Sequence, residues 1–413
     1  MREGWTPAKL ADVCQIKPPK REARQKLTDS DLVSFVPMND LGVCQKDLLL
    51  NAERALRKVA GSYTYFADND VLLAKITPCF ENGKLGIARN LVNGIGFGSS
   101  EYIVFRSKGD IDPEYLFYFL SQNSFRDAGT RVMTGAVGHK RVPKEFIENY
   151  PIPLPPLPEQ RRIVAILDEA FEGIDKTIAN AEKNLANARE LFESYLNSVF
   201  TQKGEGWVQV ILSDICDVRD GTHDSPKYVE IGIPFVTQKN IREDGLSFEK
   251  TKFISELDHK KFYKRSNVSE GDILISMIGV NRGMACMVDD SRIFSIKNVG
   301  LFKEIDNVEM HYLLYYLKSD LAKSYVESES RGGAQPFIGL KKLRGFPISL
   351  APTDIQKSVV IKLDELGLET NRLETIYQQK LTALAELKQS LLQKAFSGEL
   401  TVEDIDTKKE AVA

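Results

Sequence analysis

Residues 151–168 read PIPLPPLPEQRRIVAILD, and this stretch decides the fold. Its prolines cannot continue a helix but suit a helix's first turn, so Pro158 marks a helix start, with Glu159 near the positive end of the helix dipole. Downstream, Ile163, Leu167, Ala170, Ile174, Ile178, Ala181, Leu185, Ala188, Phe192, Tyr195 and Val199 recur at steps of three and four, a heptad-like seam with one stutter. A related joint, FPISLAPTDIQKSVVIKLD, occupies 346–364. It leads into a second seam through Leu363, Leu366, Thr370, Leu373, Tyr377, Leu381, Leu384, Leu387 and Leu391. Each seam predicts a helix of about 40 residues, roughly 60 Å long. Helices this long need a partner larger than a small domain offers, so the two seams are expected to pair. Antiparallel pairing needs the shorter connection and places the two intervening domains at opposite ends of a rod, inverted with respect to each other.

Working outward, the whole chain is duplicated. Gly4-Trp5 followed by LADVC at 10–14 answers Gly206-Trp207 followed by LSDIC at 212–216. FVPMNDL at 35–41 answers FVTQKNI at 235–241, and DVLLAKI at 70–76 answers DILISMI at 272–278. YLFYFL at 115–120 answers YLLYYL at 312–317. The parts before the joints mix short β-rich runs with one helical stretch each, DPEYLFYFLSQ and EMHYLLYYLKS. The expected fold class is α+β: two pseudo-repeated mixed α/β domains, 1–150 and 204–346, separated by two long antiparallel coiled-coil helices. The joints and helices occupy 151–203 and 347–400, and a polar tail occupies 401–413.

Composition narrows the function. The 413 residues carry 55 Lys+Arg against 58 Asp+Glu, a net charge of −3, so no uniformly basic nucleic-acid surface exists. Residues 1–150 hold 21 Lys+Arg against 18 Asp+Glu and residues 204–346 hold 20 against 21, so the acid is concentrated on the helices and tail. No run of 18 apolar residues predicts a membrane span, and MREGWTPAKL has no apolar signal-peptide core. The five scattered cysteines form no disulfide framework, which fits a reducing cytoplasm.

Catalytic motifs are missing from both copies. There is no P-loop and no G-x-S-x-G elbow, and the four histidines lack ligand spacing. The run Gly94-Ile95-Gly96-Phe97-Gly98 reads as a strand-flanking turn, because the second copy has lost the glycines. Basic clusters are present instead. Lys17, Lys20, Arg21, Arg24 and Lys26 share a loop-like stretch with prolines. His139, Lys140, Arg141 and Lys144 follow Gly135 and Gly138. Lys260, Lys261, Lys264 and Arg265 are interleaved with Phe262 and Tyr263, and Lys341, Lys342 and Arg344 follow Gly332-Gly333. Glycine loops with basic neighbours suit close approach to phosphates. A solvated charged face is the alternative for each cluster, but clusters at corresponding places before both joints favour DNA.

The duplicated variable domains, the joints PIPLPPLPEQRRIVAILD and FPISLAPTDIQKSVVIKLD, the tail KQSLLQKAFSGEL at 388–400 and the stretch DGTHDSPKYVEIGIPFVTQKNI at 220–241 resemble the specificity subunit of type I restriction–modification enzymes. The second joint departs from the pattern, with Ala351, Thr353 and Ile355 where the first has Pro155, Leu157 and Glu159. The resemblance implies two target recognition domains that read a split double-stranded DNA sequence with a fixed gap. It implies no catalysis and no cofactor in this chain. Two copies of an adenine-N6 methyltransferase subunit would use S-adenosylmethionine, and motor-nuclease subunits would use ATP with Mg. It places DNA-facing loops at Thr222, His223 and Asp224 and at Arg331 and Gln335. Arg and Gln can read guanine and adenine bidentately, while a hydrogen bond within its own turn is the alternative for His223. A rod-like scaffolding protein with two related end domains is the competing reading of the whole chain.

Overall fold

The computed structural model describes residues 4–202, 204–305, 308–331, 333 and 336–401. The chain divides into two compact units that do not follow the linear order of the sequence. One comprises Met1–Ala181 with Gln379–Ala413, and the other Glu182–Gln378. The predicted tail beyond Thr401 lies outside the described residues.

In the first unit, an antiparallel sheet is ordered Cys14–Ile16, Tyr102–Ser107, Val71–Ala74, Leu85–Ile87. The run Val-Leu-Leu-Ala at 71–74 is buried along its whole length, as an inner strand covered on both faces must be. A second sheet is ordered Glu53–Ala55, Leu32–Val36, Ile95–Gly98, Thr64–Ala67, with the two middle strands parallel. The glycine-rich run at 94–98 therefore enters and forms an inner strand. The helix Pro113–Leu120 starts on an Asp112 cap and buries every residue from Tyr115 to Leu120.

The second unit repeats this plan. Its antiparallel sheet is ordered Cys216–Asp220, Val299–Glu304, Ile273–Ser276, Ala285–Met287. Its smaller sheet keeps Lys252–Ile254, Ile233–Thr237 and Ser295–Lys297 with the same antiparallel and parallel pairings. In place of a strand matching Thr64–Ala67 stands the helix Glu256–Ser266, capped by Ser255 and closed by Asn267 in the left-handed region. The duplication extends to a buried ion pair. Asp70 receives a two-pronged hydrogen bond from Arg106 (2.8 and 2.6 Å), and at the matching positions Lys303 reaches Asp272 (2.6 Å).

Both joints begin as strands. Pro151–Leu154 pairs antiparallel with Thr6–Lys9, and Pro347–Leu350 with Val208–Ile211. These are two-stranded ribbons, where proline's missing N–H is tolerated. The first long helix spans Leu157–Thr201, with Pro158 in its first turn, and the second spans Thr353–Ser397. Within the first unit Thr401 bonds Glu159 (2.6 Å) and Lys388 pairs with Asp175. Within the second, Arg189 pairs with Glu374 (2.6 Å), and Phe192 packs beside Gly367. In both, one number rises as the other falls, so the helices pair antiparallel as expected.

The first seam is buried or half-buried along its length, but its last turns rotate. Leu196 and Phe200, one position beyond the expected Tyr195 and Val199, enter the second unit's core. In the second seam Leu373 and Leu387 stay 39 % and 46 % exposed, so those two seam positions face solvent rather than the partner helix.

Each long helix is also clipped to its mixed domain by a glutamine. Gln160, fully buried, accepts from the Asp112 N–H (2.8 Å) and donates to the carbonyls of Asp110 (2.9 Å) and Pro155 (2.8 Å). Gln356 repeats this, accepting from the Glu309 N–H (2.9 Å) and donating to the Ala351 carbonyl (2.8 Å). Tyr118 donates to Asp168 and, in the second copy, Tyr315 donates to Asp364.

Candidate nucleic-acid interface

In the first unit a hairpin is closed by reciprocal backbone bonds, Thr134 N–H to the Arg141 carbonyl (3.0 Å) and Arg141 N–H to the Thr134 carbonyl (2.8 Å). It is stitched to the turn that follows the inner strand Val71–Ala74: Val142 donates to the Lys75 carbonyl, and Thr77 to the Lys140 carbonyl, both at 2.9 Å. Gly135 and Gly138 have φ of 125° and 81°, which side-chain-bearing residues rarely adopt. Arg141 is not free for DNA. Its guanidinium forks onto Glu101 (3.0 and 2.8 Å) and caps the His139 carbonyl (3.1 Å). These hydrogen bonds from Arg141 hold the Glu101 carboxyl below its usual range. His139 Nδ1 lies 2.7 Å from the Gly138 carbonyl. Lys140 is exposed, as is Lys144, whose ammonium pairs with Glu148.

The second unit carries the same device. Arg331 and Phe337 exchange backbone bonds (2.9 and 2.8 Å), Ile338 donates to the Met277 carbonyl (2.9 Å), and Gly279 to the Pro336 carbonyl (3.1 Å). Arg331 is exposed. Gln335, with Gly332, lies outside the described residues. On the following helix, Leu340–Arg344, Lys341 is exposed, Lys342 pairs with Glu329, and Arg344 donates to the Val218 carbonyl (3.3 Å).

The remaining clusters are resolved by their partners. The stretch expected as a loop at 17–26 is helical from Arg21 to Lys26, because Pro18 and Pro19 precede the helix rather than interrupt it. Lys20 donates to the Gly61 carbonyl (2.8 Å), and burial, then Lys17 and Arg24, pushes its ammonium pKa down. Lys17, Arg21, Arg24 and Lys26 are exposed. In the second unit Asp220 is buried and receives both prongs of Arg265 (2.7 and 2.9 Å). His223 lies between Asp220 of its own turn (3.2 Å) and Asn298 of a distant segment (2.6 Å). Thr222 is buried and accepts from the Asp224 N–H (3.1 Å), and Asp224 pairs with Lys261 (3.0 Å). Phe262 is a core residue stacked on Phe235, and Tyr263 donates to the Val268 carbonyl, so these rings are not interleaved on a binding face as the spacing suggested. Lys260 and Lys264 are exposed.

The candidates thus separate into two sets. Lys20, His139, Arg141, Thr222, His223, Lys261, Arg265 and Lys342 are engaged by partners within the protein. Lys17, Arg21, Arg24, Lys26, Lys140, Lys260, Lys264, Arg331 and Lys341 have no ion-pair partner among the described residues and can take phosphate oxygens or base edges. Reading the sequence missed Glu101 and Asp220, the carboxylates that occupy Arg141 and Arg265. Among the described residues no group of His, Cys, Asp and Glu could hold a metal ion, and no helix is long and apolar enough to cross a membrane.

Comparison with known proteins agrees with this duplicated layout. The family model for the type I restriction modification DNA specificity domain matches residues 2–185 and again 204–383. The specificity subunit of the type I restriction enzyme EcoEI of Escherichia coli is 25 % identical over 96 % of this chain and 83 % of its own length. That of EcoAI, also from Escherichia coli, is 33 % identical over 50 % of this chain and 36 % of its own length. A solved chain from work on complex assembly and conformational transition of the type I R-M system superposes with a TM-score of 0.80 at 22 % identity, covering 97 % of this chain and 99 % of that one. The HsdS subunit from Thermoanaerobacter tengcongensis gives 0.60 at 22 % identity over 97 % and 98 %. With both repeats matched along nearly their whole length, the chain belongs to the specificity-subunit family of type I restriction–modification systems.

Proposed function

We propose that this chain reads a two-part double-stranded DNA sequence with a fixed gap, one part per unit, in the cytoplasm. It directs adenine-N6 methylation by two copies of a methyltransferase subunit that uses S-adenosylmethionine. With motor-nuclease subunits that use ATP and Mg, the same recognition directs restriction. No reacting group is assigned to this chain; its part is selection and positioning. The observation that carries the reading is the recurrence, in both units, of one hairpin stitched to one turn and flanked by exposed cations with no ion-pair partner among the described residues. A two-stranded ribbon of this kind fits the major groove, where all four base pairs are distinguishable. Negative net charge confines phosphate contact to these patches, so the isolated chain should bind DNA modestly and lose affinity steeply with salt. The test is methylome sequencing of the host with and without the gene. A methylated motif of two short blocks that disappears on deletion is expected; an unchanged methylome would overturn the reading.

A further inference from the structure

Among the described residues, the two most exposed large apolar side chains are Val280, 96 % exposed, and Val137, 95 % exposed. Both belong to the hairpin-and-turn pair, one in each unit. Val137 is at the apex of the hairpin closed by Thr134 and Arg141, between Gly135 and Gly138. Val280 is in the turn whose Gly279 bonds the second hairpin's Pro336. In the first unit the position matching Val280 is Pro78, also apolar and exposed. Ile231, 93 % exposed, is the next, and it precedes the strand Ile233–Thr237, at the end away from the turn that holds Gly279. A single exposed valine on a surface needs no explanation. Two at the same device in both repeats, each set in glycine-bearing backbone with cations alongside, have a shared one.

We infer that Val137 and Val280 are specificity-determining residues, each meeting the 5-methyl group of a thymine in its own half of the target. This rests on the DNA-reading function proposed above. The base edges in the major groove present donors and acceptors throughout, and their one apolar feature is the thymine methyl. The minor groove has none. An apolar apex carried to the base edges therefore gains only where it meets that methyl, and it leaves a donor or acceptor dry elsewhere. A Cβ added at Gly138 would meet no atom within 4 Å, so the backbone there is open and can approach a base edge closely. Val137 is followed by His139 and Lys140, which can fix the hairpin's register on polar groups nearby. A wedge that unstacks a base step is the rival use, but wedges are longer or ring-shaped side chains, and a wedge is sequence-tolerant.

The test uses the full chain with its methyltransferase partner and duplexes carrying the methylated motif. Each thymine in both halves is replaced in turn by uracil, which removes only the methyl group. Wild-type binding should fall about three- to tenfold at one thymine in each half. Val137→Ala should begin with a loss of that size in its own half and show no further loss at that uracil. Val280→Ala should do the same in the other half. Thermal midpoints should be unchanged, since both side chains are exposed. Equal binding by both variants and wild type, or wild-type indifference to uracil at every position, would overturn the assignment. So would a loss equal on all DNA, which marks a wedge. If wild type forms no sequence-selective complex with its partner, the parent reading fails instead, and this one with it.

Discussion

Lys140 and Arg141 are adjacent in sequence and opposite in use. The Lys140 ammonium has no ion-pair partner among the described residues, whereas Arg141 is spent on Glu101. Lys140→Ala should therefore lower the slope of log affinity against log salt by about 0.9, the share of one phosphate, and leave the target sequence unaltered. Glu101→Gln should do the reverse. Without its charged fork the hairpin loosens, so amide exchange at Thr134 and Arg141 should quicken and selectivity in the first half of the target should fall, with the salt slope kept. The pH dependence has a definite sign. Because Arg141 holds the Glu101 carboxyl below its ordinary value of 4.5, the fork's contribution is complete above that pH and is lost as pH falls through the lower folded-state value. Hairpin protection in the wild type should decline on acidification in that window, and in Glu101→Gln it should not. Hydrogen exchange across pH 3 to 6, roughly bracketing the carboxylate range, decides it. The arginine's role was hidden in the sequence because its partner lies 40 residues upstream. A basic run read locally shows charge and not what neutralises it.

At the scale of elements, the seams, the inner strands Val71–Ala74 and Ile273–Ser276 and the duplication were legible because periodicity and order are local properties. The strands in the joints were not. PIPL looks like a breaker until Thr6–Lys9, about 145 residues earlier, supplies its ladder. The glutamine clips were equally hidden, since a polar residue in a helix's first turn reads as surface. Gln160 and Gln356 occupy the same place in the two joints, next to the position where Glu159 gives way to Ile355. Gln160→Ala strands one buried N–H and two carbonyls, so it should cost about 2–4 kcal/mol. Gln356→Ala should cost slightly less, since Gln356 makes two of these hydrogen bonds where Gln160 makes three. Along the second seam, Leu363→Ala should cost about 2–5 kcal/mol and Leu387→Ala, 46 % exposed, under about 1 kcal/mol. Denaturant midpoints of the full chain would rank these four, and a Leu387 effect equal to that of Leu363 would contradict the burial described.

For the whole molecule, the first unit is closed by the last turns of the second long helix: Phe396 packs edge-on to Tyr115 and Phe119, and Leu392 and Ala395 share their core. Exchanging residues 1–150 for those of a relative should change one half of the DNA target and spare the other, provided the graft keeps aromatic residues facing Phe396. A folded graft that altered both halves would show that the units do not read independently. Both long helices run from one unit into the other, changing unit after Ala181 and after Gln378. If they set the spacing of the readers, their length sets the unread gap. Four residues inserted in each helix at those points add about 6 Å, against roughly 3.4 Å per base step. The preferred gap should grow by one or two base pairs with both half-sequences intact. Four residues turn the helix by about 400°, so the seam returns to its partner with a small local unwinding, as in a stutter. Two residues turn it by about 200° and point the seam at solvent, so that variant should lose stability rather than change its target. Mapping the methylated motif of the four-residue variant in the host settles the point: if methylation persists with the original gap, these helices are not the ruler.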